Sequence, residues 1–334
     1  MKKQNILLII VSLFLFSCSN QSEYIKNQGF IFGTSYSFIY EHPSGKNIQD
    51  DILAELKVFN NSLSNYDPNS IISRINNNDR EVTCDTYFEQ CFLRSQEIAA
   101  ITNGAFDITV APVVNAWGFG FDESTHADSA KIDSLMLFVG YHKIRLENHK
   151  IIKEIQGIKL DVSAIAKGFG VDVAAKVIEA HGVNNYMVEI GGEVRARGKN
   201  AKGKYWRIGI DKPIEDKELS NRELQEVVGL KNKSLATSGN YRQYYEKAGV
   251  KYSHTINPKT GFPARSNLLS ASVLADDCMT ADAFATAFMV MGLEKSIELS
   301  EKLDFIDVYL IYSDSSQEFN TYASNNFKRA ITPQ

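Results

Sequence analysis

The stretch MTADAFATAFM, residues 279–289, predicts a buried helix near the end of the chain. Apolar residues such as Phe284 and Phe288 recur in it at helical spacing, which is typical of a helix face that packs into a core. Asp282 and Thr286 are four residues apart, so they lie one above the other on one helix face. Carboxylate and hydroxyl oxygens are hard ligands of the kind that Mg²⁺ prefers. A solvated stripe or a local hydrogen bond is the commoner reason for such a pair, so its meaning depends on the rest of the chain.

Helices and strands alternate along the remaining sequence without an obvious linker. Residues 30–40 alternate like a single strand, and residues 163–181 predict a helix. Residues 186–190 and 193–197 predict two strands around a pair of glycines. Adjacent hairpin strands mixed with helices indicate an α+β fold rather than a doubly wound sheet. We therefore predict a single large domain over residues 29–334, in which a mixed, mostly antiparallel sheet packs with helices.

The start of the chain resembles a bacterial lipoprotein signal. A basic MKK sequence is followed by an apolar run at residues 6–16, which is too short to span a bilayer comfortably. The motif LFSC then ends at Cys18. We expect residues 1–17 to be removed as a signal peptide and Cys18 to be lipidated. Residues 18–28 would then hold the lipidated cysteine and a polar tether. An uncleaved anchor helix is the alternative. Several acyl chains would hold the domain at a cell membrane, facing the periplasm or cell exterior, with the inner membrane favoured.

Charge and cysteine content limit the remaining function classes. The formal net charge of −4 argues against a nucleic-acid partner, and the six scattered histidines and the cysteines show no zinc-binding spacing. Cys84 and Cys91 are near enough in sequence to form a disulfide outside the cytoplasm. Because Cys91 falls on the apolar face of a predicted helix, a buried thiol is an equally good interpretation.

Four polar clusters interrupt apolar elements and are where we expect the chemistry: residues 103–107, 160–168, 189–193 and 253–261. In the second cluster, a strand that carries Asp161 leads into a helix whose first turn offers free backbone N–H groups and Lys167. This combination suits a phosphate, because a helix begins with partial positive charge. Simple capping of the helix by Asp161 or Ser163 is the structural alternative.

The third and fourth clusters are less specific. Paired glycines at 191 and 192 let a ligand approach the backbone closely, although a bulge or hairpin is the commoner reason for such a pair. His254 lies at the predicted end of a strand, and its ordinary pKa near neutrality suits a general base. A histidine in this position is also compatible with a surface or hydrogen-bonding role.

Together the motifs resemble the FAD:protein FMN transferases, the ApbE-type flavin lipoproteins. The resemblance spans nearly the whole mature chain and rests on short motifs in the family's order: Gly33-Thr34 with Tyr36, Ser64-Asn65-Tyr66, Gly104 to Asp107, Asp161 to Gly168, Gly191 to Glu193, His254 to Gly261, and Thr280 to Ala287. Family members transfer FMN from FAD to a Ser or Thr hydroxyl of a membrane redox protein and release AMP. The resemblance thus implies a transferase with FAD as substrate and such a protein as partner.

The resemblance also implies roles for single residues. Asp282, Thr286 and the backbone carbonyl of Ala164 correspond to ligands of Mg²⁺. Contacts with FAD, made partly through backbone, are implied for Phe32, Tyr66, Ala105, Phe106, Asp107, Asp161, Lys167 and Ile256. His254 corresponds to the position expected to activate the acceptor hydroxyl. The chain has Asn257 where the family often has Asp, so no carboxylate role is expected there.

Elementary chemistry agrees with these roles. Lys167 would add positive potential beside the pyrophosphate, and the rings of Tyr66 and Phe106 are expected to pack on flavin or adenine. Two other functions stay open at this point. One is a Mg²⁺-dependent FAD pyrophosphatase that releases FMN and AMP, and the other is a flavin- or solute-binding lipoprotein without chemistry. The sequence does not identify the acceptor protein.

Overall fold

The computed structural model describes residues 23–121, 128–214, 223–240, 244–247, 250–253, 255–314, 316 and 318–333. Its strands are β1 Tyr24–Ile31, β2 Thr34–Glu41, β3 Ile144–Glu147, β4 Lys150–Lys153, β5 Tyr186–Ile190, β6 Glu193–Arg197, β7 Trp206–Asp211, β8 Leu224–Leu230, β9 Lys233–Gly239, β10 Tyr244–Lys247, β11 Val250–Ser253, β12 Leu268–Ala275, β13 Ile306–Ser313 and β14 Phe319–Ala323. Its α-helices are α1 Gln49–Leu63, α2 Ile71–Asn76, α3 Thr86–Ile101, α4 Ala111–Trp117, α5 Ser129–Leu135, α6 Ser163–Ala180, α7 Cys278–Met291, α8 Leu293–Lys302 and α9 Asn325–Ala330. The predicted signal peptide and Cys18 lie outside the described residues.

A large antiparallel sheet forms the centre of the domain. Its eight strands follow the order β1-β2-β5-β6-β9-β12-β13-β14, and each neighbouring pair is antiparallel. The strand pairs β3–β4, β7–β8 and β10–β11 form three separate two-stranded sheets, which are not part of its hydrogen-bonded ladder. The predicted α+β fold with a mostly antiparallel sheet is therefore confirmed, and over the described ranges no parallel strand pair occurs.

Apolar side chains cover both faces of this sheet. One face packs on α1, α6 and α7 in the larger core, where residues 168–175 of α6 are all buried. The opposite face packs on the β7–β8 pair and α9 through residues such as Trp206, Val228 and Phe327. Because burial of apolar surface is the main favourable contribution to folding, the packing of α6 and α7 against the sheet and against α1 and α3 stabilises their positions.

The first strand differs from the prediction. Ile31 pairs with Thr34, while Phe32 and Gly33 have φ values of 53° and 75°. Two central residues with positive φ form the kind of tight turn that fits the twist of a hairpin, so residues 30–40 belong to two strands rather than one. Strand β1 also begins at Tyr24, so part of the segment expected in the tether belongs to the sheet.

Other elements escaped the sequence analysis or were only partly defined by it. Strand β9, with the sequence KSLATSG, contains small and polar residues without clear alternation, yet it pairs with both β6 and β12. Helix α5 is capped by Asp128, whose carboxylate accepts the Lys131 N–H. Cys84, Cys91 and Cys278 are buried free thiols, so the disulfide alternative is wrong. No described helix combines the length and the apolar character needed to cross a membrane.

Candidate active site

Asp282 lies where α6 and α7 approach most closely. The side chain is buried, and one of its carboxylate oxygens accepts the Gly168 N–H at 2.9 Å. A Cβ atom added to Gly168 would lie 2.2 Å from the Cys278 carbonyl oxygen and 2.7 Å from the Asp282 Cβ. The sequence Lys-Gly in α6 therefore serves helix packing, because only glycine lets α7 bring its carboxylate to the backbone of α6.

The other two predicted metal ligands belong to the same two helices. Ala164 precedes Gly168 by four residues in α6, so Asp282 contacts the turn of the helix that follows the Ala164 carbonyl. Thr286 lies one turn along α7 from Asp282 and on the same face. Its hydroxyl is 3.1 Å from the Ser238 hydroxyl of β9. Asp282 thus contacts α6 and Thr286 contacts β9, and their joint binding of a cation with the Ala164 carbonyl stays a prediction.

A second carboxylate and an ammonium complete the cluster. The Lys167 Nζ donates to one oxygen of Glu193, on β6, at 2.5 Å. The Glu193 side chain is only 5 % exposed, whereas that of Lys167 is 38 % exposed. The other Glu193 oxygen is buried and has no hydrogen-bond partner in the part of the chain that the structure describes.

Burial and charge shift the pKa of each member of this cluster. Burial raises the pKa of Glu193 to about 7, although the nearby Lys167 ammonium opposes the shift. Burial also raises the pKa of Asp282, against the Lys167 ammonium and the Gly168 N–H. For Lys167 burial lowers the pKa, but the Asp282 and Glu193 carboxylates outweigh it and raise the pKa overall. The cluster therefore carries excess negative charge when both carboxyls are ionised.

These residues fit a divalent cation with hard-ligand preference. They offer a carboxylate, a hydroxyl and a backbone carbonyl, and Mg²⁺ usually takes few protein ligands and completes its shell with water or phosphate oxygens. Within the described ranges, no group of three His, Cys, Asp or Glu side chains is arranged to hold a metal. Asp282, Thr286 and the Ala164 carbonyl would therefore hold Mg²⁺ with one formal charge among them.

Several predicted FAD-contacting residues converge on the start of α6. The Asn65 side chain donates to the Leu160 carbonyl at 2.9 Å, and the Asp161 N–H donates to the Ile108 carbonyl at 2.7 Å. These bonds bring the turn that carries Tyr66 and the segment that follows Asp107 to the entrance of the helix. The Tyr66 side chain is 80 % exposed, so its ring is available to a ligand.

Phe32 approaches the same helix from the hairpin between β1 and β2. Its ring lies 5.6 Å from that of Phe59, and its edge lies 2.9 Å from a Cβ atom added to Gly170. The positive φ of Phe32 is uncommon for a residue other than glycine and places this ring beside α6. The structure thus puts Phe32 within one helical turn of Lys167.

The segment from Ala105 to Asp107 contributes little side-chain surface. Ala105 and the Phe106 ring are buried in the chain without a ligand, and packing of Phe106 on flavin or adenine stays a prediction. The Asp107 carboxylate accepts the backbone N–H and the hydroxyl of Thr109 and the backbone N–H of Tyr141. Burial raises the pKa of Asp107, and these donors oppose the shift. Contacts of this segment with a ligand would have to use its backbone.

The predicted phosphate cradle at the helix start is partly occupied by the chain itself. The Asp161 carboxylate accepts the Ser163 N–H at 2.8 Å. The N–H groups of Ile165 and Ala166 both donate to the Val162 carbonyl. The N-cap residue is Val162, and no side chain caps the helix, so neither Asp161 nor Ser163 is the cap; Asp161 instead stabilises the turn before the helix. Its contact with FAD stays a prediction, and positive potential for a phosphate would come mainly from Lys167.

The polar cluster at residues 253–261 contacts the one at residues 103–107. Ile256 is buried and pairs with Pro263, and the Lys259 side chain lies 3.8 Å from a Cβ atom added to Gly104. Strand β11 ends at Ser253, as the sequence predicts. His254 lies outside the described residues, so its proposed role as a base stays a prediction.

Two acidic residues of the site region were given no role by the sequence analysis. Glu193 follows the paired glycines, and its pairing with Lys167 is a long-range contact that only the fold reveals. Asp172 lies in the apolar middle of α6 and accepts the N–H groups of Cys278 and Met279 at 3.0 and 2.8 Å and a guanidinium N–H of Arg195 at 2.7 Å. An acid inside an apolar helix was the available signal, because buried charges are almost always paired. Asp172 thus ties the start of α7 to α6.

The comparisons with known proteins agree with this geometry. The sequence profile described as the ApbE family matches residues 32–310. The FAD:protein FMN transferase of Haemophilus influenzae is 36 % identical, over 98 % of each chain. The solved flavin transferase ApbE from Vibrio cholerae is 34 % identical, covers 92 % of this chain and 99 % of its own, and superposes with a TM-score of 0.82. The apo flavinyl transferase ApbE of Pseudomonas stutzeri is 26 % identical, with a TM-score of 0.80. The chain belongs to the ApbE family.

Proposed function

We propose that this protein is an FAD:protein FMN transferase that moves FMN from FAD to a Ser or Thr hydroxyl of a membrane redox protein. The observation that carries the proposal is the contact of Asp282 with the Gly168 backbone, beside the Lys167–Glu193 pair. It sets hard oxygen ligands next to an ammonium, which is the arrangement that a pyrophosphate and its counter-cation need.

The residues of the site have separate tasks in this reaction. The acceptor oxygen forms a new bond to the phosphorus of the FMN half of FAD, and the bond from that phosphorus to the AMP oxygen breaks. Mg²⁺, when bound, neutralises phosphate charge. Asp282, Thr286 and Ala164 hold this cation, and Lys167 offers a fixed positive charge to the pyrophosphate. His254 would take the hydroxyl proton, and Tyr66 would cover an exposed ring of the substrate.

The location of the enzyme is part of the same proposal. Lipidation of Cys18 after removal of residues 1–17 would place the domain at a membrane that also holds the acceptor. A Cys18→Ala variant that is still labelled by fatty acid would contradict this part without affecting the transferase proposal.

The test uses the purified protein with FAD, Mg²⁺ and an acceptor candidate from the same cell's membranes. The proposal predicts a fluorescent flavin band that survives denaturing electrophoresis, and a mass increase of the acceptor equal to one FMN group. Release of FMN and AMP without an acceptor would instead establish a pyrophosphatase. Tight FAD binding with no turnover in Mg²⁺ would establish a binding protein.

A further inference from the structure

The Glu193 carboxylate is half used in this structure. One oxygen accepts from Lys167, while the other is buried and accepts no hydrogen bond from another described residue; the backbone N–H of Glu193 itself also stabilises the ionised carboxylate and lowers its pKa. Leaving a buried acceptor unpaired costs about 1–3 kcal/mol, and more for a charged group. Native proteins retain few such atoms, and a functional site is a common reason for one.

The surroundings of the unpaired oxygen are shaped for close approach. It lies 3.3 Å from a Cβ atom added to Gly191, whose φ is 64°. Gly192 has a φ of 103° and no atom within 4 Å of an added Cβ, so the turn is open on that side. The Gly191 N–H donates to the Ser35 carbonyl, which fixes the turn against β2. The Thr34 side chain lies on the same side of the turn, 2.9 Å from the Cβ atom added to Gly191, so the unpaired oxygen is enclosed and the open space begins at Gly192.

A purely structural role for Glu193 explains only part of these observations. Neutralising Lys167 needs one carboxylate oxygen, and the Asp282 carboxylate already stabilises the same ammonium. Every carboxylate has a second acceptor oxygen, and when that oxygen is buried it is normally hydrogen-bonded, which the one in Glu193 is not among the described residues. The unpaired atom therefore indicates a partner that arrives from outside the chain.

We infer that Glu193 contacts the bound substrate complex, and that its free oxygen accepts a hydrogen bond from an O–H group brought into the site. This inference rests on the proposed function and names the chemistry of one further contact. An O–H donor is available from two sources, a hydroxyl on the sugar part of a flavin dinucleotide or a water held by the bound cation. Through its other oxygen Glu193 also positions Lys167 for the pyrophosphate.

The test is Glu193→Gln, with binding measured apart from turnover. A glutamine keeps its carbonyl oxygen for Lys167 and must then present an N–H₂ donor where the free oxygen was. Loss of a charge-assisted hydrogen bond should weaken binding about 10- to 100-fold. FAD affinity is read from quenching of flavin fluorescence in EDTA, and Mg²⁺ affinity from the shift of the unfolding midpoint without FAD.

The two readouts distinguish the donors. Weaker FAD binding in EDTA with unchanged Mg²⁺ affinity identifies a substrate hydroxyl. Weaker Mg²⁺ binding without FAD identifies a cation-held water when Glu193→Asp, which keeps the charge but withdraws the oxygen, weakens it as well, whereas a loss confined to Glu193→Gln reports the removed charge and overturns the inference. Glu189→Gln is the matched control, because this carboxylate of the same hairpin already accepts the Gly192 N–H at 3.1 Å. Both affinities should be unchanged in the control.

Wild-type affinity for both ligands in folded Glu193→Gln would overturn the inference and leave Glu193 as a structural partner of Lys167. If that variant does not fold, the Lys167 ammonium without the Glu193 carboxylate to balance its charge is the expected reason. Comparing Lys167→Met with Lys167→Met/Glu193→Gln removes this ammonium and keeps the same readouts. A wild-type protein that binds FAD and Mg²⁺ but transfers nothing would refute the proposed function and leave the Glu193 comparison readable.

Discussion

Gly168→Ala should loosen the contact of α6 with α7 and thereby weaken the metal site. The added Cβ would lie 2.2 Å from the Cys278 carbonyl oxygen, whereas ordinary contacts begin near 3.4 Å, so the helices must separate by about 1 Å. Overpacking of this kind costs about 1–3 kcal/mol, and the better helix propensity of alanine offsets about 1 kcal/mol of it. The free energy of unfolding, measured in urea, should fall by the difference.

The separation should also move Asp282 away from the first turns of α6. Changes in the surroundings of metal ligands typically reduce metal affinity about 10- to 100-fold, and we expect a similar rise in the Mg²⁺ concentration needed for half-maximal transfer. Gly170→Ala is the comparator in the same helix, since its added Cβ meets side-chain atoms of Phe32 and Phe59 rather than backbone. It should leave the Mg²⁺ requirement unchanged. A Gly168→Ala protein with wild-type stability and Mg²⁺ requirement would refute the close-packing argument.

Three further predictions concern charged side chains of the site region. Lys167→Met should weaken FAD binding about tenfold, a small effect for the loss of a charged hydrogen bond, because Lys167 is partly exposed. Lys176→Met, on the exposed side of α6, should leave FAD affinity unchanged. Equal affinities of the two variants in a fluorescence titration would count against the phosphate role of Lys167. Asp172→Asn should raise the Mg²⁺ requirement several-fold, and excess Mg²⁺ should restore transfer, because Asp172 holds the start of α7 without touching the ligand; a loss that Mg²⁺ cannot restore would contradict this. In metal-free buffer the folded state binds the Glu193 proton more tightly than the unfolded state does, because burial raises the pKa of Glu193 from 4.5 to about 7. The free energy of unfolding should therefore fall by up to about 3 kcal/mol as pH rises from 4.5 to about 7, and the fall should be shallower in Glu193→Gln.

Local pattern was sufficient for the elements with strong periodicity. Helix α6 and strands β5 and β6 have the predicted positions because their apolar spacing and flanking glycines are unambiguous. The hairpin at Phe32 was missed because a phenylalanine with positive φ carries no turn signal in the sequence. Strand β9 was missed because its burial comes from its neighbours β6 and β12, which are distant in sequence.

In the candidate site, too, local patterns could be predicted from the sequence, whereas long-range contacts could not. The spacing of Asp282 and Thr286 predicts a shared face, and the contact of Asp282 with the Gly168 backbone follows only once α7 packs on α6. The pairing of Lys167 with Glu193 joins α6 to β6, so it depends on tertiary packing rather than on either motif alone. Burial likewise decides that Phe106 is a core residue and that Tyr66 is exposed, although both are aromatic residues in polar turns.

We propose above that Asp282 at the α6–α7 contact holds the cation required for FMN transfer. The most direct measurement is covalent flavin on the acceptor as a function of Mg²⁺ concentration for wild type, Asp282→Ala and Thr286→Ala, with circular dichroism as the folding control. Asp276→Ala is the matched variant, because this exposed acid just before α7 pairs only with surface Lys233 among the described residues. We predict folded proteins in all cases, negligible transfer for Asp282→Ala, a milder defect for Thr286→Ala and wild-type behaviour for Asp276→Ala. Folded Asp282→Ala that transfers FMN with an unchanged Mg²⁺ requirement would contradict the account.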